Sequence, residues 1–440
     1  MRDDPRCPRR RARGKIQVAV AVAILAALLA GCAERDRSNP LDPKNGATGG
    51  KIAGFAALAG NRQVEIRWTR LPQQDVASYW VLRWRPGEAP QYLPDFFGPS
   101  IAGTIDSSVT NDETYNYRLV AFFLSGDSAV SQTDTATPGT RKIAVLSAGL
   151  PGLVGLTPDA RDILYVQPAE EAYEDMELDR VHRLLWLTMP EAGFILRTYF
   201  DGRPAGPIIA HPHPADVSVS DLRGVGWVAF PDDHLVRAFG PDPASVDTFR
   251  TISSVGEAHV VEAGTVDPTV WIGNEAGTVR RFTTDGVLRN DWSLGARVVA
   301  IALDEAVERA WAAVRTSSGD DLYVLDARDS TATKVAGQWS GIADLAVDPA
   351  TRSLWVSERG TPRAGNGRLT RLSASGVAVA ILGGIEPFGI MVDPVTGNCW
   401  ASELSTSRVV EVSPGGLILR GSAPINLPYA VRVVGGPGVP

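Results

Sequence analysis

The sequence predicts an all-β chain, a small β-sandwich followed by a seven-bladed β-propeller. Three observations carry that expectation. Tryptophan recurs through the second half as Trp186, Trp227, Trp271, Trp311, Trp355 and Trp400, with gaps of 41, 44, 40, 44 and 45 residues. Four of these have an aspartate seven residues upstream: Asp179, Asp304, Asp348 and Asp393. A period of that length in a strand-rich context means one small sheet per repeat, and such sheets close radially. The second observation is strand-like alternation in three runs between residues 51 and 138. The third is that the two ends of the repeated region look like parts of one repeat.

Taken in order, the chain begins with an export signal. Arg9, Arg10, Arg11, Arg13 and Lys15 precede an uncharged, mostly apolar run from Ile16 to Ala30. That run is too short for a membrane-spanning helix and suits a secretory signal over residues 1–31. The ending Leu29-Ala30-Gly31-Cys32 resembles the lipobox of bacterial lipoproteins. The resemblance implies cleavage before Cys32, acylation of its thiol and of the new amino terminus, and attachment to a membrane by several acyl chains. Ala33 follows in place of aspartate, which by analogy with Gram-negative sorting favours the outer membrane.

Cysteine use fits export. Cys7 leaves with the signal and Cys32 is the anchor, so Cys399 remains alone and no internal disulfide can form. Its place beside Trp400 in an apolar run marks it as a core residue. Removal of residues 1–31 takes away seven Lys/Arg and two Asp/Glu, leaving a net charge of −12. An acidic exported chain without basic clusters is a poor nucleic-acid binder, and no nucleic-acid partner is expected.

Residues 32–50 form the next element. Glu34 to Gly50 is polar and rich in Pro, Gly and Asn, too poor in apolar residues to fold, and is expected to be an extended tether. The Asn39-Pro40-Leu41-Asp42-Pro43 piece resembles the segment after the lipobox of many bacterial surface lipoproteins. Residues 51–138 carry the alternating runs Val64–Trp68, Tyr79–Trp84 and Tyr115–Ala121, which predict a β-sandwich. The run from Thr114 to Ala121 resembles strand F of fibronectin type III domains, where a tyrosine ties the adjacent corner, and Trp68 would then be the core residue of strand B. A spacer or packing role is expected for this domain.

Residues 141–440 are expected to be the propeller. In the clearest repeat, Ile342–Asp348, Leu354–Glu358, Arg368–Leu372 and Gly376–Ile381 give four strands. Asp348-Pro349-Ala350-Thr351 and Asp393-Pro394-Val395-Thr396-Gly397 give turns after the first strand, and Asp201-Gly202 and Asp285-Gly286 suit hairpins before the fourth. The tryptophans would fill the space between blades. Six of them suggest six blades, with residues 141–168 as a linking element; the chain ends favour seven. Pro428-Tyr429-Ala430-Val431 copies Pro387-Phe388-Gly389-Ile390 at an offset of 41, giving a first strand with no partners after it. Ile143–Leu146, Leu153–Thr157 and Ile163–Gln167 would supply the other three and close the ring, removing both sheet edges. These repeats resemble bacterial propellers with NHL-type or YncE-type repeats, related in outline to streptogramin lyases and gluconolactonases. That resemblance implies a scaffold and does not assign an activity.

Chemistry is sparse. All five histidines lie between His182 and His259, so the late-repeat histidines that a lyase resemblance implies have no counterpart. His211-Pro212-His213 lacks a third ligand nearby, and no nucleophile elbow, phosphate loop or His-Glu-x-x-His occurs. No catalytic residue and no metal ligand is assigned. The candidate binding residues come from register: Asn274, Glu358 and Glu403 stand three residues past their tryptophans, with Glu275 and Arg315 one further on. Equivalent positions on successive blades would ring one face of the channel and bind a cation or polar ligand, against the plainer reading of a solvated rim. The expected function is a membrane-anchored binding or scaffold module for an envelope or extracellular protein, peptide or glycan, without a cofactor. The alternative is a lactonase- or lyase-like hydrolase with a divalent cation at the channel mouth.

Overall fold

A computed structural model describes residue 52 and residues 54–435, apart from 72–75, 221–222, 241, 265–267 and 362–363. The signal, Cys32 and the tether lie outside the described residues. Among those described, no helix is long and apolar enough to cross a membrane.

The chain divides into two compact units. The first holds most of a five-stranded antiparallel sheet in the order Gln91–Phe97, Val76–Trp84, Tyr115–Phe123, Ser128–Val130, with Asp134–Ala136 also paired to Tyr115–Phe123. Its core follows from the alternation: Tyr79, Val81, Tyr117 and Leu119 point to the buried side. Trp68 is buried against the rings of Tyr79 and Phe97, at 5.5 and 5.7 Å. A three-stranded sheet joins Ala56–Gly60, Gln63–Arg67 and Gly103–Asp106. Leu58–Glu65 and Ile105–Thr114 group with the second unit.

The second unit contains seven four-stranded antiparallel sheets. Blade 1 is made from both ends of the repeated region: Pro428–Val434 pairs with Lys142–Ser147, followed by Gly152–Leu156 and Ile163–Pro168. Residues 141–168 are therefore blade strands and not a linking element. Blades 2 to 7 follow in chain order, with first strands Met176–Asp179, Val217–Ser220, Ala258–Ala263, Arg297–Asp304, Ile342–Val347 and Pro387–Val392.

Each repeated tryptophan lies on the second strand of its blade and packs into a cluster with the blade that follows. Trp186 meets Val217 and Val219 of blade 3, and Trp355 meets Ile390, Val392 and Ala401 of blade 7. Trp400 joins Val145, Leu146 and Val431 of blade 1. Gly226 makes room for Trp186, since a Cβ there would come within 2.6 Å of the indole ring. In blades 2, 4 and 6 an arginine on the third strand pairs across from the tryptophan and lies over its ring: Arg197, Arg281 and Arg371.

The aspartates seven residues upstream shape the turn after the first strand. Asp179, Asp348 and Asp393 accept hydrogen bonds from the backbone N–H of His182, Ala350 and Val395, each at 2.9 Å. Asp304 instead receives the guanidinium of Arg352 from the next blade, at 2.9 Å. Cys399 is a free, fully buried thiol of the core, and burial pushes its pKa up.

Candidate functional site

Of the five register-derived residues, Asn274, Arg315, Glu358 and Glu403 lie at the end of the second strand of their blades and Glu275 just after it, yet they do not converge. Asn274 is buried; its Nδ2 donates to the Val255 carbonyl and its Oδ1 accepts from the Thr278 N–H, both at 2.8 Å. Glu358 accepts the Ser340 N–H at 3.1 Å and is gripped by the Arg368 guanidinium. Glu403 accepts the N–H groups of Glu386, Ser405 and Thr406 and the hydroxyls of the last two. Burial alone would raise the Glu403 carboxyl, but these hydrogen bonds outweigh it and hold it below the usual range. Arg315 donates to the Ile342 carbonyl at 2.7 Å and pairs with the buried Asp320. These four tie the loop leading into a blade to nearby turns or strands, so their regular spacing has a structural cause.

Glu275 behaves differently. It is exposed and forms ion pairs with Arg297 at 3.1 Å and His259 at 3.5 Å. His259 lines the central channel, so Glu275 reaches the channel mouth through that pair. Glu358 lines a separate cavity of 610 Å³, with Asp320, Trp339, Asn366 and Arg368. His211 pairs with Asp233 at 3.6 Å and rests on the Phe230 ring, and His213 is exposed. Among the described residues no group of three or more His, Cys, Asp or Glu is placed to hold a metal ion.

The first strands of all seven blades enclose a channel of 730 Å³. Strand alternation sets its wall in layers. The upper layer lies eleven residues before each tryptophan and carries Asp175, Asp216 and Asp344; its other positions are Val260, Ala300, Gly389 and Ala430. The next layer, nine residues before each tryptophan, carries Glu177, Ser218, Glu262 and, by the offset of 41 from Met391, Arg432.

The upper aspartates staple neighbouring blades. The Val217 N–H donates to Asp175 at 3.2 Å, the Val261 N–H to Asp216 at 2.6 Å and the Ile390 N–H to Asp344 at 2.8 Å. In each case the donor is the residue ten before the next tryptophan. In the lower layer Arg432 binds Glu177 through Nε at 3.0 Å and Nη2 at 2.9 Å. Glu262 makes no hydrogen bond or ion pair among the described residues.

Positive charge in these layers is therefore short. Burial raises the carboxyl pKa of Glu177, Asp216, Glu262 and Asp344, and Asp344 is pushed up to about 6. Asp175 adds to the rise at Asp216, and Glu177 to that at Glu262. Arg432 shifts the other way from what burial alone would do: Glu177, Asp175 and Asp344 outweigh desolvation and raise its pKa. Such a wall attracts cations and favours the protonated form of its own carboxyls. The signal for it lay in the sequence, since three aspartates share one offset from the repeated tryptophan; the offset of seven drew attention instead.

No protein-family model matches the chain, and no curated protein matches it. Solved structures do. A functionally unknown protein from Desulfotomaculum acetoxidans has a TM-score of 0.51 at 15% identity, over 66% of this chain and 98% of that one. A propeller of Dos1 has a TM-score of 0.47 at 11% identity, over 71% and 83%. A nidogen/laminin complex has 0.44 at 10% identity, over 67% and 98%. At these identities the likeness speaks for fold alone. The seven four-stranded sheets, with their first strands around one channel, make the repeated part of this chain a β-propeller.

Proposed function

We propose that this chain is an exported, lipid-anchored binding module whose propeller takes a positively charged group of an envelope protein or peptide into its central channel. The observation that carries this reading is the charge imbalance of the channel wall. Its two layers set Asp175, Glu177, Asp216, Glu262 and Asp344 against Arg432. Arg180 and His259 also line the channel, but so do Glu174, Asp304 and Glu305, and among the described residues Glu262 makes no hydrogen bond or ion pair. A lysine or arginine side chain of a partner would supply the missing charge, in a site already formed and enclosed. The lipobox at Leu29–Cys32 supports the anchor and an outer-membrane address. The buried Trp68, Tyr115 and Tyr117 support a fibronectin type III-like spacer before the propeller, and the repeat layout supports an NHL- or YncE-like relative.

An oligo-lysine peptide titrated into the purified protein tests the channel. Binding is expected to weaken at high salt and to fall about tenfold or more in Glu262→Gln/Asp344→Asn, as loss of a charge-assisted contact implies. Equal affinity in that variant would remove the channel as the site. The metal-dependent hydrolase reading stays second; it would be favoured by stoichiometric divalent metal in protein purified without chelator.

A further inference from the structure

The five-stranded sheet of the first unit has an outer face that is unusually apolar. Paired residues place Phe96, Trp80, Val120 and Val130 in one row across four strands. The next row holds Tyr92, Leu82 and Arg118, and Trp84 stands opposite Asn116. Phe96 is 64% exposed and Tyr92 51%. The Trp80 ring stacks on Phe96 and meets Tyr92 edge-on, both at 5.4 Å between centroids. The charged residue of these rows is Arg118, whose guanidinium lies over the Trp84 ring at 5.7 Å. Val120 is buried and Trp80, Leu82 and Trp84 are half-buried, so what this face exposes is chiefly Tyr92, Phe96 and Val130. A cluster of exposed apolar side chains of this kind marks a contact surface.

Its position along the chain says what it touches. Ile52, the first described residue, forms a parallel bridge with Ser131, and its N–H donates to the Val130 carbonyl at 3.2 Å. The chain therefore arrives from Cys32 at the edge of this same sheet. Nineteen residues, 33–51, lie between. A stretch of that length reaches at most ~65 Å when fully extended. An acylated Cys32 would hold the sheet that close to lipid, at an effective concentration in the millimolar range.

We propose that the Trp80–Tyr92–Phe96 face lies on the surface of the membrane that holds Cys32, as a second, interfacial contact. This rests on the lipid-anchor reading above. Aromatic rings with a polar edge partition to the headgroup level of a bilayer. The Arg118 guanidinium, held over the Trp84 ring and donating to the Thr133 hydroxyl, places a positive charge on this face for an anionic headgroup. In a chain whose net charge is −12 once residues 1–31 are removed, rows that carry arginine and no carboxylate form a face complementary to an acidic lipid surface.

The test uses the full lipidated protein, purified from membranes and reconstituted into phosphatidylethanolamine/phosphatidylglycerol vesicles carrying bromine near the headgroup. Trp80 and Trp84 are the reporters. Expected is quenching of part of the tryptophan emission in the wild-type protein and its loss in Tyr92→Ser/Phe96→Ser, with both proteins still vesicle-bound. Both replaced residues are more than half exposed, so thermal melting should be unchanged; Phe96→Ser alone, with partial loss, serves if it is not. Absence of quenching, or equal quenching in the variant, overturns the proposal. So does a dimer in detergent that the same variant dissolves, which would give the face to a second copy. The mass of the N-terminal peptide separates the two readings: a Cys32 without acyl chains overturns anchor and face together, whereas an acylated Cys32 without quenching overturns the face alone.

Discussion

The seams between blades and the channel they enclose treat charge in opposite ways. At the seams most buried charges are matched. Arg352 grips Asp304 of the preceding blade, and Arg420 holds Glu411 at 2.7 Å. Along the channel eight Asp and Glu residues line the wall with two arginines, Arg180 and Arg432. Unmatched charge in a confined site costs stability, so its presence on one surface and not on the other points to where a ligand would act. The seam is the part that can be broken most severely. Trp355 is fully buried between blades 6 and 7, and Trp355→Ala should cost ~3–5 kcal/mol in urea unfolding, from lost transfer energy and the cavity left behind. A cost below about 1 kcal/mol, within the range of surface substitutions and small adjustments, would mean that the repeated tryptophan does not set the seam.

The closing seam sharpens the comparison, because its pattern is altered. Trp400 faces Glu411 on the third strand, where blades 2, 4 and 6 have arginine. The cation comes from the other end of the propeller: Arg141 lies over the Trp400 ring at 5.4 Å and reaches Asp393 at 3.3 Å and Glu411 at 4.0 Å. Arg141→Met keeps most of the apolar stem but leaves two buried carboxylates to Arg420 and local hydrogen bonds. That should cost ~3 kcal/mol. Arg352→Met, whose arginine is half-exposed, should cost only about 1 kcal/mol. Equal costs would mean that Arg141 does not act as a latch for the ring.

Much of this frame could be read from residue order. The tryptophan period, the Asp-Pro turns and the copied Pro-aromatic segment each follow from local rules of strand, turn and repeat. The site was less legible. Asn274, Glu358 and Glu403 share a spacing because each ties down a loop, and spacing cannot separate a recurring tie from a recurring ligand. The channel aspartates share a spacing too, but only three of seven blades carry one, so the repeat signal is diluted. Their significance depends on Glu262 and Arg432, which lie 170 residues apart and meet only through ring closure. The outer-face row Phe96–Trp80–Val120–Val130, exposed at Phe96 and Val130, was hidden for a related reason: alternation reports two faces of a strand without saying which is covered.

The mildest way to probe the contrast is to change the protonation of the channel. Asp344 accepts the N–H groups of Ile390 and Leu345, and burial lifts its pKa from 3.8 to about 6 in spite of Arg432. A carboxyl with a raised folded-state pKa binds its proton more tightly folded than unfolded. Its contribution to stability is then fully present below the unfolded value near 3.8 and is lost as pH rises through about 6. Glu177, Asp216 and Glu262 are raised as well and act with the same sign. His211 and His259, both lowered chiefly by burial, act with the opposite sign as pH falls. The difference between wild type and Asp344→Asn isolates the aspartate. Between pH 7 and pH 5 the wild-type melting temperature should gain on that of the variant by a few degrees, about 1 kcal/mol for a chain of this size. A gap that stays constant over this range would mean that Asp344 remains ionised, and that the channel carries less unmatched charge than its geometry implies.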